Sequence, residues 1–154
     1  MSDELPPDVR PRAFAAVELL LDVIYVARAV VDADLESMLI YFCVAEATMR
    51  PLVLGPNAPS ELINVALPSD AARGSISRLL IADRTGLPRE TVRRKTNALI
   101  KAGTLYEDED GCVRSPRNLL SPPIQRAANE VFDAAQRYDA RLRQLGRPGV
   151  RETK

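Results

Sequence analysis

The sequence predicts a mainly helical protein with one small β-hairpin, and three observations support this fold class. Apolar residues recur at helical spacing near both ends of the chain. The central part carries the small residue, glycine and aliphatic residue that are typical of two helices joined by a tight turn. Two short runs with β-branched or aromatic residues then flank an Asp-Gly turn. A chain of 154 residues can bury one good hydrophobic core.

The first two helices are predicted over residues 13–31 and 34–50. Apolar residues cover most of the first helix, and its charged residues lie within roughly one third of the helical wheel. These charged residues are Glu18, Asp22, Arg28 and Asp32. Such a polar stripe argues against a membrane span, so the apolar sides must be covered by the same chain or by a second copy. Asp34 is expected to cap the second helix, and Pro51 is expected to end it.

The two central helices are predicted over residues 77–85 and 88–102. Ala82 is small where the two helices would cross closely, Gly86 can adopt a positive φ in the turn, and Val92 lies on the inner face of the second helix. The second helix begins with a proline, whose fixed φ suits a helix start, and it ends before a glycine. This spacing predicts a helix-turn-helix.

The second central helix has one packing face and one polar face when it is projected at about 3.6 residues per turn. The packing face carries Val92, Thr96, Leu99 and Ile100. The polar face carries Glu90, Arg93, Arg94, Asn97 and Lys101. These residue types suit base edges in the major groove of DNA, because arginine can pair with guanine, asparagine can pair with adenine, and glutamate can accept from cytosine.

A β-hairpin is predicted next, with strands over residues 104–107 and 112–115. Its tip, residues 107–110, is a run of four acids. Phosphate would repel these acids, and only Arg114 and Arg117 at the base of the hairpin could compensate. We expect the tip either to point away from DNA or to contribute little to binding.

Residues 76–94 resemble the winged helix-turn-helix transcriptional regulators of bacteria, broadly the multiple-antibiotic-resistance-regulator, GntR and IclR types. The resemblance extends over roughly residues 60–115. It implies a scaffold helix over 77–85, a recognition helix over 88–102 and a wing formed by the hairpin. It also implies that Arg89, Glu90, Arg93, Arg94 and Asn97 occupy the DNA-reading positions. The full set of candidate DNA contacts is Ser77, Arg78, Arg89, Glu90, Thr91, Arg93, Arg94, Asn97, Lys101, Arg114 and Arg117.

The formal net charge is zero, but the charges are unevenly distributed along the chain. Residues 1–72 carry eleven acids and four bases, whereas residues 73–101 carry eight bases and two acids. The positive stretch coincides with the helix-turn-helix, where phosphate contacts would be made. A solvated helical face is the alternative explanation of such a cluster.

A last helix is predicted to begin at Ser121, and it carries a heptad seam. The seam consists of Ile124, Ala128, Val131, Ala135, Tyr138, Leu142 and Leu145. Packing on the N-terminal helices of the same chain and contact with a partner helix explain the seam equally well. Both interpretations bring the first and last helices together, and from them we expect a homodimer.

These elements predict four regions. They are the N-terminal dimerisation helices over 1–54, the winged helix-turn-helix domain over 60–117, a C-terminal helix over 121–146 that packs with the N-terminal helices, and a disordered tail over 147–154. A loop is expected over 51–59, and a short first helix of the winged domain is expected over 60–67.

The sequence contains few of the residue types and motifs that enzymatic catalysis needs. There is no histidine, and Cys43 and Cys112 have no neighbouring cysteine, so we expect no metal site, no cofactor and no enzyme activity. Cys43 is expected to be a small buried hydrophobe. The acidic start of the chain has no basic or apolar targeting segment, which predicts a cytoplasmic protein without membrane contact.

The expected function is sequence-specific binding of double-stranded DNA by a homodimeric transcriptional regulator on an inverted-repeat operator. The alternative is a winged-helix module that docks a protein without specific DNA readout, which the acidic hairpin and the zero net charge favour. A small-molecule effector has no support in the sequence. Its conceivable lining residues, Tyr25, Tyr41, Phe42 and Met49, are expected to be core instead.

Overall fold

The computed structural model describes residues 5–6, 8–54, 65 and 67–145. Its elements in chain order are α1 Val9–Val30, α2 Leu35–Leu54, α3 Arg78–Thr85, α4 Arg89–Lys101, β1 Tyr106–Glu107, β2 Val113–Arg114 and α5 Pro122–Leu145. The fold is mainly helical with one two-stranded antiparallel sheet, which confirms the predicted class. The elements form two compact units. We call α1 with α5 the helical pair, and residues 31–121 the central unit.

Helix α2 is the core helix of the central unit, where it packs on α3, α4 and β2. Its Ile40, Val44 and Thr48 side chains are completely buried. By length and composition, α2 is the one described helix apolar enough to cross a membrane. In the fold, 33% of this apolar window is buried, and Leu39, Val53 and Leu54 remain exposed.

The packing of α2 corrects a predicted domain boundary. The sequence placed residues 1–54 with the terminal helices and began the next domain at residue 60, whereas the central unit begins at Val31. An apolar helix must be covered, but its pattern does not show which element covers it. Most of the short helix expected over 60–67 lies outside the described residues, as do residues 55–59 of the expected loop and the tail over 147–154.

Helix α2 also continues through Pro51 to Leu54, although a stop was predicted at the proline. Proline has no N–H to bond the carbonyl of Ala47, one turn earlier. The backbone at Gly74 packs against this turn, and its N–H donates to the Thr48 carbonyl at 3.0 Å. A Cβ at Gly74 would lie 2.1 Å from the Ala47 oxygen, so only glycine permits this close approach.

The turn between α3 and α4 has the predicted chemistry. Ser77 caps α3 by accepting from the Leu80 N–H at 3.2 Å, and Gly86 ends α3 with φ at 70°. Ala82 and Val92 are both buried. The positive φ of Gly86 and the burial of Ala82 and Val92 therefore agree with the prediction from their spacing.

The sheet pairs Tyr106 with Arg114 and Glu107 with Val113. Ile76 extends it by an isolated antiparallel bridge to Val113, with hydrogen bonds of 3.0 and 2.8 Å. Both strands are shorter than predicted. In the first, the N–H groups of residues 104 and 105 bond instead to the carbonyl of Leu99, at the end of α4.

The helical pair is antiparallel, because Glu18 and Asp22 pair with Arg141 and Arg137 respectively. The polar stripe of α1 therefore faces arginines of α5. The residues of the pair that are fully buried are small or β-branched: Ala15, Val26, Ala27 and Ala134. At one end a groove of about 250 Å³ lies between the helices, lined by Val26, Ala29, Val30, Pro123, Arg126, Ala127 and Glu130.

Large apolar side chains remain exposed on the helical pair. On α1 they are Phe14, Val17, Leu20, Leu21 and Tyr25. The predicted seam of α5 is covered only in part. Residues 124, 131, 138 and 142 are half-buried, whereas 128, 135 and 145 are exposed. The expectation that Tyr25, Phe42 and Met49 are core is wrong, since all three are exposed and only Tyr41 of that set is buried.

Candidate nucleic-acid interface

Helix α4 presents a polar face whose position agrees with the sequence prediction. Val92, Thr96 and Leu99 are buried beneath the helix, and Ile100 is half-buried. The exposed residues are Arg89, Glu90, Arg93, Arg94, Asn97 and Lys101. They extend along the whole helix, which is roughly 18 Å at about 1.5 Å per residue. Thr91 is half-buried in the first turn.

Lys95 does not belong to this exposed face, although the sequence counted it in the positive cluster. Its side chain is nearly buried, and Nζ lies 2.7 Å from Asp34 Oδ2 and 3.2 Å from Glu36 Oε2. The hydrogen bond from Lys95, followed by that from the Ser37 N–H, lowers the pKa of Asp34 to about 2. The bond from Ser37 is the predicted cap of α2. Lys95 therefore anchors α4 to the start of α2.

Five of the eight positive charges of residues 73–101 are compensated by acids, and three of these five pair with acids from distant parts of the chain. The ion pairs are Arg73 with Asp70, Arg78 with Glu107, Arg84 with Glu46, Arg93 with Glu90, and Lys95 with Asp34 and Glu36. Within the part of the chain that the structure describes, Arg89, Arg94 and Lys101 have no such partner. Among the described residues, the positive charge without an ion-pair partner is therefore limited to α4, a shorter stretch than the sequence indicated.

Glu90 and Arg93 form a two-pronged pair on the exposed face. Arg93 Nε lies 2.9 Å from Glu90 Oε2, and Nη2 lies 2.6 Å from Oε1. The hydrogen bonds from Arg93 lower the pKa of Glu90. Because both side chains are well exposed, solvent screens the pair and a competing anion can replace the carboxylate at little cost.

Arg78 connects three elements of the central unit. Its Nη2 donates to Asn97 Oδ1 on α4 at 3.1 Å and to Glu107 Oε2 on β1 at 2.5 Å. Its Nη1 donates to the Gly111 carbonyl in the hairpin turn at 3.3 Å. Arg78 was predicted as a direct DNA contact, but its guanidinium is occupied by these three acceptors. No local sequence signal could have shown the bond to Glu107, which is 29 residues away.

Two of the four acids at the hairpin tip form ion pairs with arginines of the same chain. Glu107 is paired with Arg78. Asp108 accepts from the N–H groups of Asp110 at 3.1 Å and Cys112 at 2.9 Å, and from Arg114 Nε at 3.0 Å. Partial burial opposes ionisation of Asp108, but the bonds from Arg114 and Cys112 outweigh it and lower the pKa of this carboxyl group. Only residues 109 and 110 of the four acids stay exposed without an ion pair among the described residues.

The two arginines at the hairpin base are also engaged, which corrects their predicted role. Arg114 Nη1 donates to the carbonyls of Asp70 and Arg73, each at 2.8 Å, and its side chain is nearly buried. Arg117 Nη2 lies 2.8 Å from Asp70 Oδ1. Hydrogen bonds from Arg117, Tyr106 and Arg73 lower the pKa of Asp70 to about 2. Arg114 is therefore a structural residue, while Arg117 keeps partial exposure.

Asp70 and Arg73 were missed as organising residues. The buried Arg73 donates to Asp70, to the Tyr106 hydroxyl at 3.0 Å and to the carbonyl of Ser115. The Ser115 N–H in turn donates to the buried Thr48 hydroxyl at 3.1 Å. These bonds fix the base of the hairpin to α2, and the separations of up to 67 residues leave no trace in local sequence.

Among the described residues, no group of three or more cysteine or acidic side chains is placed to hold a metal ion. Cys43 is half-buried, and burial raises the pKa of its thiol, although Arg84 opposes that shift. Comparisons with known protein families, with curated proteins and with solved structures find no match to this chain.

Proposed function

We propose that this protein is a sequence-specific DNA-binding transcriptional regulator of the winged helix-turn-helix type that acts as a homodimer on an inverted repeat. The observation that carries the proposal is the exposed polar face of α4. This face combines an uncompensated arginine, an asparagine and a lysine on a helix that follows a tight turn. A major groove about 12 Å wide accepts such a helix.

The neighbouring elements support the same function. In the central unit, α2 lies beneath α3 and α4, and the hairpin follows α4 directly. In a winged helix-turn-helix, α3 would be the scaffold helix, α4 the recognition helix and the hairpin the wing. Arg78 attaches the hairpin to α3 and α4, and Asp70 attaches it to the segment before α3, so the wing would keep a defined position beside α4.

Each residue of the face has an expected role in DNA binding. Arg94 suits a guanine edge, because a guanidinium can donate to guanine O6 and N7 together. Lys101, at the last turn, suits a phosphate, which a lysine binds as a point charge. Arg89, at the first turn, and Arg93, once released from Glu90, can contact either group.

The homodimer is supported by the exposed apolar side chains of α1. Phe14, Val17, Leu21 and Tyr25 recur in steps of three or four, so they lie along one side of that helix. Two packed helices leave this surface in water, and a second copy offers an identical surface to cover it. A twofold dimer would present two α4 helices to half-sites about one helical turn of DNA apart.

A protein-docking winged helix is the second candidate. The exposed acids at positions 109 and 110 and the many internal ion pairs favour it, because they weaken the positive potential that phosphate needs. Selection of bound fragments from a random DNA pool by the full-length protein separates the two candidates. Enrichment of an inverted repeat supports the regulator, whereas no retained DNA at low salt overturns it.

Substitutions on the polar face of α4 test whether this face reads DNA. Arg94→Ala is expected to weaken binding to the selected site by about 1 to 3 kcal/mol and to relax one base preference. Lys101→Ala should weaken binding to all DNA sequences by a similar factor, and it should make the salt dependence of the affinity less steep. Arg143→Ala, an exposed arginine of α5, is the matched control and should change neither property. Unchanged operator affinity in Arg94→Ala would disprove the assignment of this face.

A further inference from the structure

Asn97 is held in one orientation by a neighbour outside its own helix. Its Oδ1 atom accepts from Arg78 Nη2 at 3.1 Å. Arg78 is itself half-buried and is fixed by Glu107 and by the carbonyl of Gly111. The asparagine is exposed in the middle of α4, between Arg94 and Lys101. Arg78 and Asn97 are 19 residues apart in the chain, so this arrangement arises only in the folded central unit.

The chemistry of the two groups determines which way the amide is turned. A guanidinium has five N–H donors and no acceptor, whereas an amide has an acceptor oxygen and a donor NH₂ group. The oxygen of Asn97 must therefore face Arg78. The NH₂ group, on the other branch of the amide, is left to contact a ligand of α4.

We propose that Arg78 is a positioning residue that makes Asn97 a donor toward DNA, so that Asn97 selects guanine or thymine instead of adenine. This inference rests on the proposed function and adds a base preference to it. Guanine presents two acceptors in the major groove and thymine presents one, whereas adenine places an amino donor beside its single acceptor, N7. Bidentate pairing with adenine needs the amide oxygen to face the base, whereas the bond from Arg78 turns that oxygen toward α3 and takes one of its two lone pairs.

Glu107 has a specific part in this arrangement. A free arginine beside DNA would turn toward a phosphate, since charge-assisted hydrogen bonds are stronger than a bond to an amide. The carboxylate of Glu107 holds the guanidinium at the junction of α3, α4 and the hairpin. Glu107 thus keeps Arg78 beside Asn97. It does so although a phosphate near the hairpin would repel its carboxylate.

The experiment compares the sequences that full-length variants select from a random DNA pool. Asn97→Ala first identifies the base position that Asn97 contacts, because preference is lost there. The unmodified protein should select guanine or thymine at that position. Arg78→Met removes the donor, frees the amide oxygen and should shift the preference toward adenine, by roughly tenfold in relative enrichment. Other positions should keep their preferences.

Asp108→Asn is the control for a general loosening of the hairpin. It removes the ion pair with Arg114 inside the hairpin but leaves Glu107 and Arg78 in place, so guanine or thymine should remain preferred. Arg78→Lys serves if Arg78→Met does not fold. A lysine can pair with Glu107 but lacks the fork that also reaches Asn97, so it should also shift the preference toward adenine.

Three results would overturn the inference while leaving the proposed function intact. They are adenine at the Asn97 position in the unmodified protein, no change of preference in the folded Arg78 variants, and the same change in Asp108→Asn as in Arg78→Met. Failure of the unmodified protein to retain any DNA would overturn the proposed function and this inference together.

Discussion

The central unit and the helical pair differ in the size of the apolar side chains that they bury. In the central unit, Ile40, Ile76, Ile81, Leu105 and Val113 are almost completely excluded from water. In the helical pair, the buried residues are mainly alanines, while Phe14, Leu21 and Tyr25 remain exposed. The central unit therefore has a core of large aliphatic side chains, whereas the helical pair has no such core among the described residues. The contrast predicts that equivalent substitutions will act on different properties in the two units.

The largest expected effect is in the core of the central unit. Ile81→Ala should lower the free energy of unfolding by about 2 to 5 kcal/mol, because it removes buried methyl groups and leaves a cavity. Denaturant titration followed by circular dichroism measures this loss. The loss should be the same at low and high protein concentration. A cost below about 1 kcal/mol would show that the central unit is not closely packed.

The next effect concerns the helical pair and association. Light scattering of the unmodified protein at micromolar concentration should report twice the 16.9 kDa chain mass. Leu21→Glu should weaken the dimer by about a hundredfold, because it buries an unpaired charge at the interface. Leu79→Glu, at a similarly exposed leucine of α3, is the control and should remain dimeric. A monomeric unmodified protein, or equal weakening by both variants, would contradict the role of α1.

Two buried threonines of the central unit should respond oppositely to the same substitution. The Thr48 hydroxyl donates to the Val44 carbonyl and accepts from Ser115, so Thr48→Val should cost about 1 to 3 kcal/mol. Thr96 Oγ1 is equally buried but has no hydrogen-bond partner among the described residues. Thr96→Val keeps the shape and removes an unsatisfied group, so it should be neutral or stabilise by up to about 1 kcal/mol. Equal losses in both variants, measured by denaturant titration, would refute this distinction.

The smallest effect is the acid sensitivity of the central unit. The pKa values of Asp34 and Asp70 are each lowered to about 2, chiefly by hydrogen bonds from Lys95 and Arg117 respectively. Because folding lowers these pKa values, the stability they contribute is complete above about pH 4 and is lost as the pH falls toward 2. Since both carboxylates are exposed, the contribution is small.

Unfolding titrations at successive pH values between 5 and 2 measure this contribution. Asp34→Asn should flatten the acid limb, whereas Asp133→Asn, at an exposed position of α5, should not. An unchanged acid limb in Asp34→Asn would mean that the pair with Lys95 does not form in solution.

Prediction from the sequence succeeded where the signal was local. The cap at Asp34, the turn at Gly86 and the two faces of α4 follow from hydrogen-bonding groups and periodicity within a few residues. Prediction failed for the charge of Lys95, which was counted in the positive stretch over residues 73–101 but meets two acids at the start of α2. A helical wheel shows the direction in which a side chain leaves the axis, but it does not show what lies there.

The sequence by itself determined the class of the fold, the turn between α3 and α4 and the set of side chains on the outer face of α4. It did so because backbone conformation and helical periodicity depend on near neighbours. Only the tertiary structure decided that α2 is the core of the central unit, that Arg114 supports the hairpin, and that Arg78 turns the amide of Asn97. These outcomes depend on groups brought together from distant positions, where burial and charge pairing select the partner after the helices have formed.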